Sequence, residues 1–116
     1  MTTLYGIPNC DTVKKARAWL DANGVGHSFH DFKKAGIDEA QLRGWADRLG
    51  WEKVLNRAGT TFRKLPDGDK AGLDADRAVK LMLAHPSAIK RPILEAGDTL
   101  LAGFSAESYA QAGLAG

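Results

Sequence analysis

The chain has 116 residues, with 16 Lys and Arg against 14 Asp and Glu and 44% hydrophobic residues. These are the proportions of one ordinary globular domain, long enough to bury a core without disulfides or a metal. The single cysteine excludes an internal disulfide, and with three scattered histidines it gives no zinc spacing, so no metal site is expected. A net charge of +2 gives no argument for a nucleic-acid partner. No apolar run nears the roughly 18 residues of a membrane helix, and the N-terminus carries neither the basic nor the apolar part of a signal peptide. A soluble cytoplasmic protein with no membrane partner is expected.

Thr3, Leu4 and Tyr5 form a short apolar run that reads as a strand, followed by the loop formers Gly6 to Cys10. From Asp11 the pattern turns helical: Val13, Ala16 and Leu20 fall at i, i+3 and i+7, and Asn23-Gly24 is a stop signal. Val25 to Phe32 reads as a second strand, completing a β-α-β unit whose strands are parallel. Asp38 with Gln41 has the spacing of a capping box before the stripe Leu42, Trp45, Ala46 and Leu49, which Gly50 ends. Trp51 to Leu55 adds a short turn, and residues 56–72 read as a long polar loop. Asp74 starts another helix that His85-Pro86 ends. Arg91 to Leu94 and Thr99 to Ala102 flank the turn Ala96-Gly97-Asp98 as a hairpin. Ser105 with Glu107 opens a terminal helix toward Leu114. The expected fold is α/β: a thioredoxin-like four-stranded mixed sheet, β-α-β then β-β-α. The chain is expected to be one domain, 1–116, with an inserted helical subdomain at roughly 37–87. Trp19, Trp45 and Trp51 are expected in the core, and the three histidines are read as structural.

Cys10 is the first candidate for chemistry. It sits directly before the first predicted helix, where its sulfur is expected to face the free N–H groups of the first turn and the positive end of the helix dipole. Both favour the thiolate, the nucleophilic form. A lone cysteine is commonly a buried structural residue. Here the turn, the polar neighbours Asn9, Asp11 and Thr12, and a place at the end of the first strand of a β-α-β unit favour chemistry instead. Position 13 is Val, so no second thiol lies one turn away. A disulfide at Cys10 must be mixed, with a small thiol such as glutathione or with a protein thiol, and a second external thiol must resolve it.

The other candidates are cations. Pro92 biases Arg91 to an extended backbone. In thioredoxin-type folds a proline at this place is usually cis and lies beside the active-site cysteine. That arrangement brings Lys90 and Arg91 near Cys10, able to bind an anion or stabilise a thiolate; the alternative is a solvated charge pair at a strand end. Arg57 and Arg63 lie in the long loop, where a guanidinium fork suits a carboxylate or oxyanion; the alternative is a solubilising loop. Lys14 is one helical turn from Cys10 and either adds positive field or belongs to the solvated face with Lys15 and Arg17.

Tyr5 to Ala16, Gly50 to Arg57, Gly59 to Leu65 and Ile89 to Leu94 together resemble the arsenate reductase (ArsC)-like family, in its short Spx/MgsR/YffB branch and closest to the YffB-type proteins. The resemblance spans nearly the whole chain. It implies a thioredoxin-like fold with a helical insert, a nucleophile at Cys10, and oxyanion-binding arginines at Arg57 and Arg91. YffB-type proteins are regarded as glutathione-dependent thiol reductases, so glutathione enters as co-substrate, with no bound cofactor implied. The sequence departs from the family reductases in three places. Their third arginine falls near Gly103, their histidine four residues before the cysteine is Gly6, and their serine three residues after it is Val13. These departures weigh against arsenate reduction. The regulators of the group bind RNA polymerase and often carry two cysteines, a switch that Val13 removes.

Overall fold

The computed structural model describes residues 2–113. In chain order the elements are β1 (Thr2–Gly6), α1 (Asp11–Ala22), β2 (Ser28–Asp31), α2 (Phe32–Ala35), α3 (Glu39–Leu49), α4 (Trp51–Val54), α5 (Thr60–Arg63), α6 (Asp67–Lys70), α7 (Ala75–Ala84), a 3-10 turn (Pro86–Ala88), β3 (Ile93–Ala96), β4 (Thr99–Ala102) and α8 (Ala106–Gln111). They fall into two compact units. One comprises the residues up to Ala35 together with those from Arg91 onward; the other is Gly36–Lys90.

The first unit is a four-stranded sheet in the order β2-β1-β3-β4, with β1 and β2 parallel and the other pairs antiparallel. This is the expected thioredoxin-like mixed sheet. Leu4 of β1 lies opposite Leu94 of β3, and the two share a core with Val13, Ala16 and Leu20 of α1 and Tyr109 of α8. Removing the valine and leucine side chains from water contributes about 1.5–3 kcal/mol each. Strand alternation sends Tyr5 to the opposite face. There its ring meets those of His30 (5.1 Å between centroids) and Phe32 (6.3 Å), and its hydroxyl donates to Glu95 Oε1 at 2.6 Å. Helix α1 ends as the sequence signals: Asn23 Nδ2 donates to the Trp19 carbonyl at 2.8 Å, and Gly24 takes φ +69°.

One strand is shorter than expected and another is shifted along the chain. β2 stops at Asp31 because the Asp31 carboxylate accepts from the Lys33 backbone N–H at 2.8 Å and turns the chain into α2. β3 starts at Ile93 rather than Arg91 because Pro92 has no N–H to give a ladder. Helix α8 runs to Gln111; Leu114, toward which the terminal helix was expected to run, lies outside the described residues.

The second unit is helical. Asp38 caps α3, its carboxylate accepting from Gln41 N at 2.9 Å, and Asp74 caps α7 by accepting from Arg77 N at 2.9 Å. Leu42, Trp45 and Ala46 of α3 and Ala78, Val79, Leu81 and Met82 of α7 are buried. Arg43 ties the two helices, donating to Glu39 at 2.9 Å and to Asp76 at 3.0 Å. Residues 56–72 are not the single loop expected. They hold the one-turn helices α5 and α6, too short for apolar periodicity to register. The tryptophans are likewise unequal: Trp45 is 2% exposed, whereas Trp19 and Trp51 are half-buried. Among the described residues no helix is long and apolar enough to cross a membrane.

Candidate active site

Strand β1 ends at Gly6 and the chain turns back, the Cys10 N–H donating to the Ile7 carbonyl at 3.3 Å. Cys10 is the N-cap of α1, with extended backbone (φ −99°, ψ 123°), and its carbonyl accepts from Lys14 N at 3.0 Å. The N–H groups of Asp11, Thr12 and Val13 have no carbonyl within the helix to bond. The sulfur was expected to face them, but it accepts no capping hydrogen bond; a thiol is a weak acceptor beside the oxygens that usually cap. Instead the half-buried side chain packs against the cluster of Leu4, Val13, Ala16, Leu20, Leu94 and Tyr109.

The two departures from the family pattern that flank Cys10 are one packing event. Val13 is fully buried, and a Cβ placed on Gly6 would come within 2.7 Å of Val13 Cγ2. With valine at position 13 any side chain at position 6 would force Val13 to shift.

Arg91 and Pro92 come to the same end of the sheet. Ile93 pairs with Tyr5 on one side and with Ala102 on the other, so the residues just before β3 lie where β1 gives way to the Cys10 turn. The Arg91–Pro92 bond is cis, and the buried Pro92 accepts from Gly103 N at 2.8 Å. Arg91 is half-buried, and its Nε is buried with no hydrogen-bond partner among the described residues. An unpaired charged donor in such a place is costly until an acceptor arrives. Gly103 has φ +81°, a conformation that an arginine side chain would strain.

Lys14 is exposed on α1. Cys10, Lys14, Arg91 and Pro92 therefore all belong to the first unit. Arg57, Arg63 and Lys90 belong to the second. Arg57 is exposed, with its guanidinium 5.7 Å from the centroid of the Trp51 ring. Arg63 ends α5, exposed, and its carbonyl accepts from Lys70 Nζ at 3.3 Å. Lys90 is exposed, its backbone N–H donating to the Val54 carbonyl at 2.7 Å. Asn56, which the sequence offers only as part of the Gly50 to Arg57 stretch that carries the resemblance, sets the turn that carries Arg57. Its N–H donates to Ala88 O at 2.8 Å, and its side-chain amide fills the space that a Cβ on Gly59 would need. The Asn-x-x-Gly spacing was the available signal. Among the described residues no group of His, Cys, Asp and Glu could hold a metal ion.

The sequence model of the ArsC family matches residues 5–112. An uncharacterized protein of Haemophilus influenzae is 38% identical over 109 residues, covering 94% of this chain and 96% of that protein. The global transcriptional regulator Spx of Streptococcus mutans is 28% identical over 107 residues, covering 90% of this chain and 77% of the regulator. Among solved structures, a YFFB protein is 56% identical with a TM-score of 0.94, covering 97% of this chain and 98% of its own. An arsenate reductase (ArsC) related protein from Brucella melitensis is 51% identical with a TM-score of 0.77, covering 94% and 92%.

Proposed function

The chain belongs to the ArsC family of arsenate reductase-related proteins, and from that membership and the setting of Cys10 we propose that it is a glutathione-dependent thiol–disulfide reductase working through one cysteine. The observation that carries this reading is the half-buried Cys10 thiol at the start of α1, at the sheet end that also holds the unpartnered Nε of Arg91. The buried Val13 in place of a second cysteine supports resolution by an external thiol.

In this reading the Cys10 thiolate attacks the glutathione sulfur of a mixed disulfide. A Cys10–glutathione disulfide forms, and the substrate sulfur leaves as a thiolate that takes up a proton. Reduced glutathione, losing its thiol proton, then attacks the glutathione sulfur on Cys10. It forms oxidised glutathione and returns the Cys10 thiolate. In sum, the mixed disulfide and one reduced glutathione become the substrate thiol and oxidised glutathione, one disulfide exchanged for another, so atoms and electrons balance. Arg91 binds a glutathione carboxylate, and its Nε gains the acceptor it lacks. Within the same unit Lys14 supplies further positive charge and Pro92 stands next to Arg91; the family resemblance names Arg57 as a second anion-binding candidate, and Arg57, Arg63 and Lys90 belong to the other unit.

The test is turnover of a glutathione mixed disulfide by the full chain with reduced glutathione. Arg91→Ala should lower kcat/KM by about 10- to 100-fold, the worth of one charge-assisted hydrogen bond, with most of the loss in KM. An unchanged KM would remove Arg91 from the anion site. Arsenate should not be turned over. Ala102-Gly103-Phe104 supplies no third arginine, Gly103 itself having a positive φ that a larger residue would strain, and position 6 carries no imidazole.

The 28% identity to Spx favours a second reading, a regulator that binds RNA polymerase. It expects a stable complex that survives Cys10→Ser. Capture of no polymerase subunit by either form would count against it.

A further inference from the structure

The second unit carries a cavity that the chemistry of Cys10 does not use. Arg77, Lys80, Leu81 and Ala84 fall at i, i+3, i+4 and i+7 and share one face of α7. With Leu65, Asp69 and His85 they line a pocket of about 280 Å³ that is open to solvent. Arg77 braces its wall: Nη1 donates to the Gly72 carbonyl at 3.2 Å and Nη2 to the Gly68 carbonyl at 3.3 Å. Its remaining guanidinium N–H groups are left for other acceptors.

The charges on the lining are mixed in sign. The Asp69 carboxylate has no hydrogen bond or ion pair among the described residues. Lys80 pairs with Asp76 at 3.0 Å, but with 69% of its side chain exposed; such a surface pair is weak and easily redirected. A simple anion in the cavity would meet Asp69, and a simple cation would meet Lys80 and Arg77. A ligand carrying both charges on adjacent atoms satisfies both sets. Leu65, Leu81 and Ala84 supply the apolar part of the lining. The volume lies just below the roughly 300–1,000 Å³ of drug-sized sites, so the occupant is small.

We propose that this cavity binds a small zwitterion, an α-amino acid with an apolar side chain. Its ammonium lies on Asp69, its carboxylate on Lys80 and Arg77, and its side chain on Leu65, Leu81 and Ala84.

The test follows backbone amide shifts of the isotope-labelled, reduced full chain during titration with L-leucine, glycine, N-acetyl-leucine and leucinamide. Leucine should shift residues 65–69 and 77–84 saturably, with a Kd on the order of 1 mM. Glycine, which lacks the side chain, and the two capped forms, each lacking one charge, should bind at least about tenfold more weakly. Asp69→Asn, an exposed substitution, should weaken leucine about tenfold and leave disulfide turnover at Cys10 unchanged. Absence of a saturable shift with leucine would overturn the proposal. So would equal binding of either capped form, or leucine binding that Asp69→Asn does not alter.

Discussion

Gly6 and Val13 set the ground on which Cys10 stands. Because a Cβ at position 6 would approach Val13 Cγ2 to 2.7 Å and Val13 is fully buried, Gly6→Ala should destabilise the chain by about 1–3 kcal/mol, an overpacking cost. Most of that cost should disappear when Gly6→Ala is measured in a Val13→Ala background. Denaturant unfolding of the four proteins of this double-mutant cycle reads the coupling directly; additive effects would mean that the two positions do not touch. At this scale the sequence disclosed the thiol, its place before a helix and the missing second cysteine, because each is a local fact. It did not disclose the Gly6–Val13 contact, which exists only once α1 is laid against the end of β1. Nor did it disclose that the Cys10 side chain would pack against the cluster containing Leu4 and Leu94 rather than cap the helix: that cluster joins residues far apart in sequence and exists only once the sheet has formed.

Helix ends and faces decide the next scale. Asp38 and Asp74 each accept a hydrogen bond from the third residue of their helix, so Asp38→Ala and Asp74→Ala should each cost about 1 kcal/mol. Thermal unfolding checks this, and loss of neither midpoint would show that the caps are not made in solution. Helix α8 tests a different balance. Tyr109 is fully buried, edge-on to Trp19 and Phe104 at 5.5 and 4.8 Å, and its hydroxyl has no hydrogen-bond partner among the described residues. Burial pushes its ionisation well above the ordinary value of 10.0. The neutral form is therefore the one that folding favours, and its contribution is whole below pH 10.0 and lost as pH rises beyond it. Tyr109→Phe removes an orphan hydroxyl, so it should leave neutral-pH stability equal or higher and flatten the loss of stability above pH 10.0. A large loss at neutral pH would mean that the hydroxyl has a partner. Both caps were legible as Asp residues just ahead of apolar stripes. α5 and α6 were not, because single turns carry no periodicity and lie among Gly59, Pro66, Gly68 and Gly72.

At the scale of the molecule, apolar spacing disclosed the order of elements, and the parallel β1–β2 pair followed from a β-α-β opening. Sheet order depends on pairings between residues some 90 apart, such as Leu4 with Leu94, which local pattern does not encode directly; the β-α-β then β-β-α order of elements pointed to the thioredoxin-like arrangement, and the family resemblance implied the same fold. The functional account rests on Cys10 as the atom that exchanges disulfides while the rest of the fold holds it. Steady-state reduction of a glutathione mixed disulfide by the wild-type and Cys10→Ser chains, each compared with glutathione alone, tests that most directly. The account predicts saturable turnover well above the glutathione background for the wild type and none above it for Cys10→Ser. A wild-type rate no greater than that of free glutathione, or turnover that survives the substitution, would contradict it.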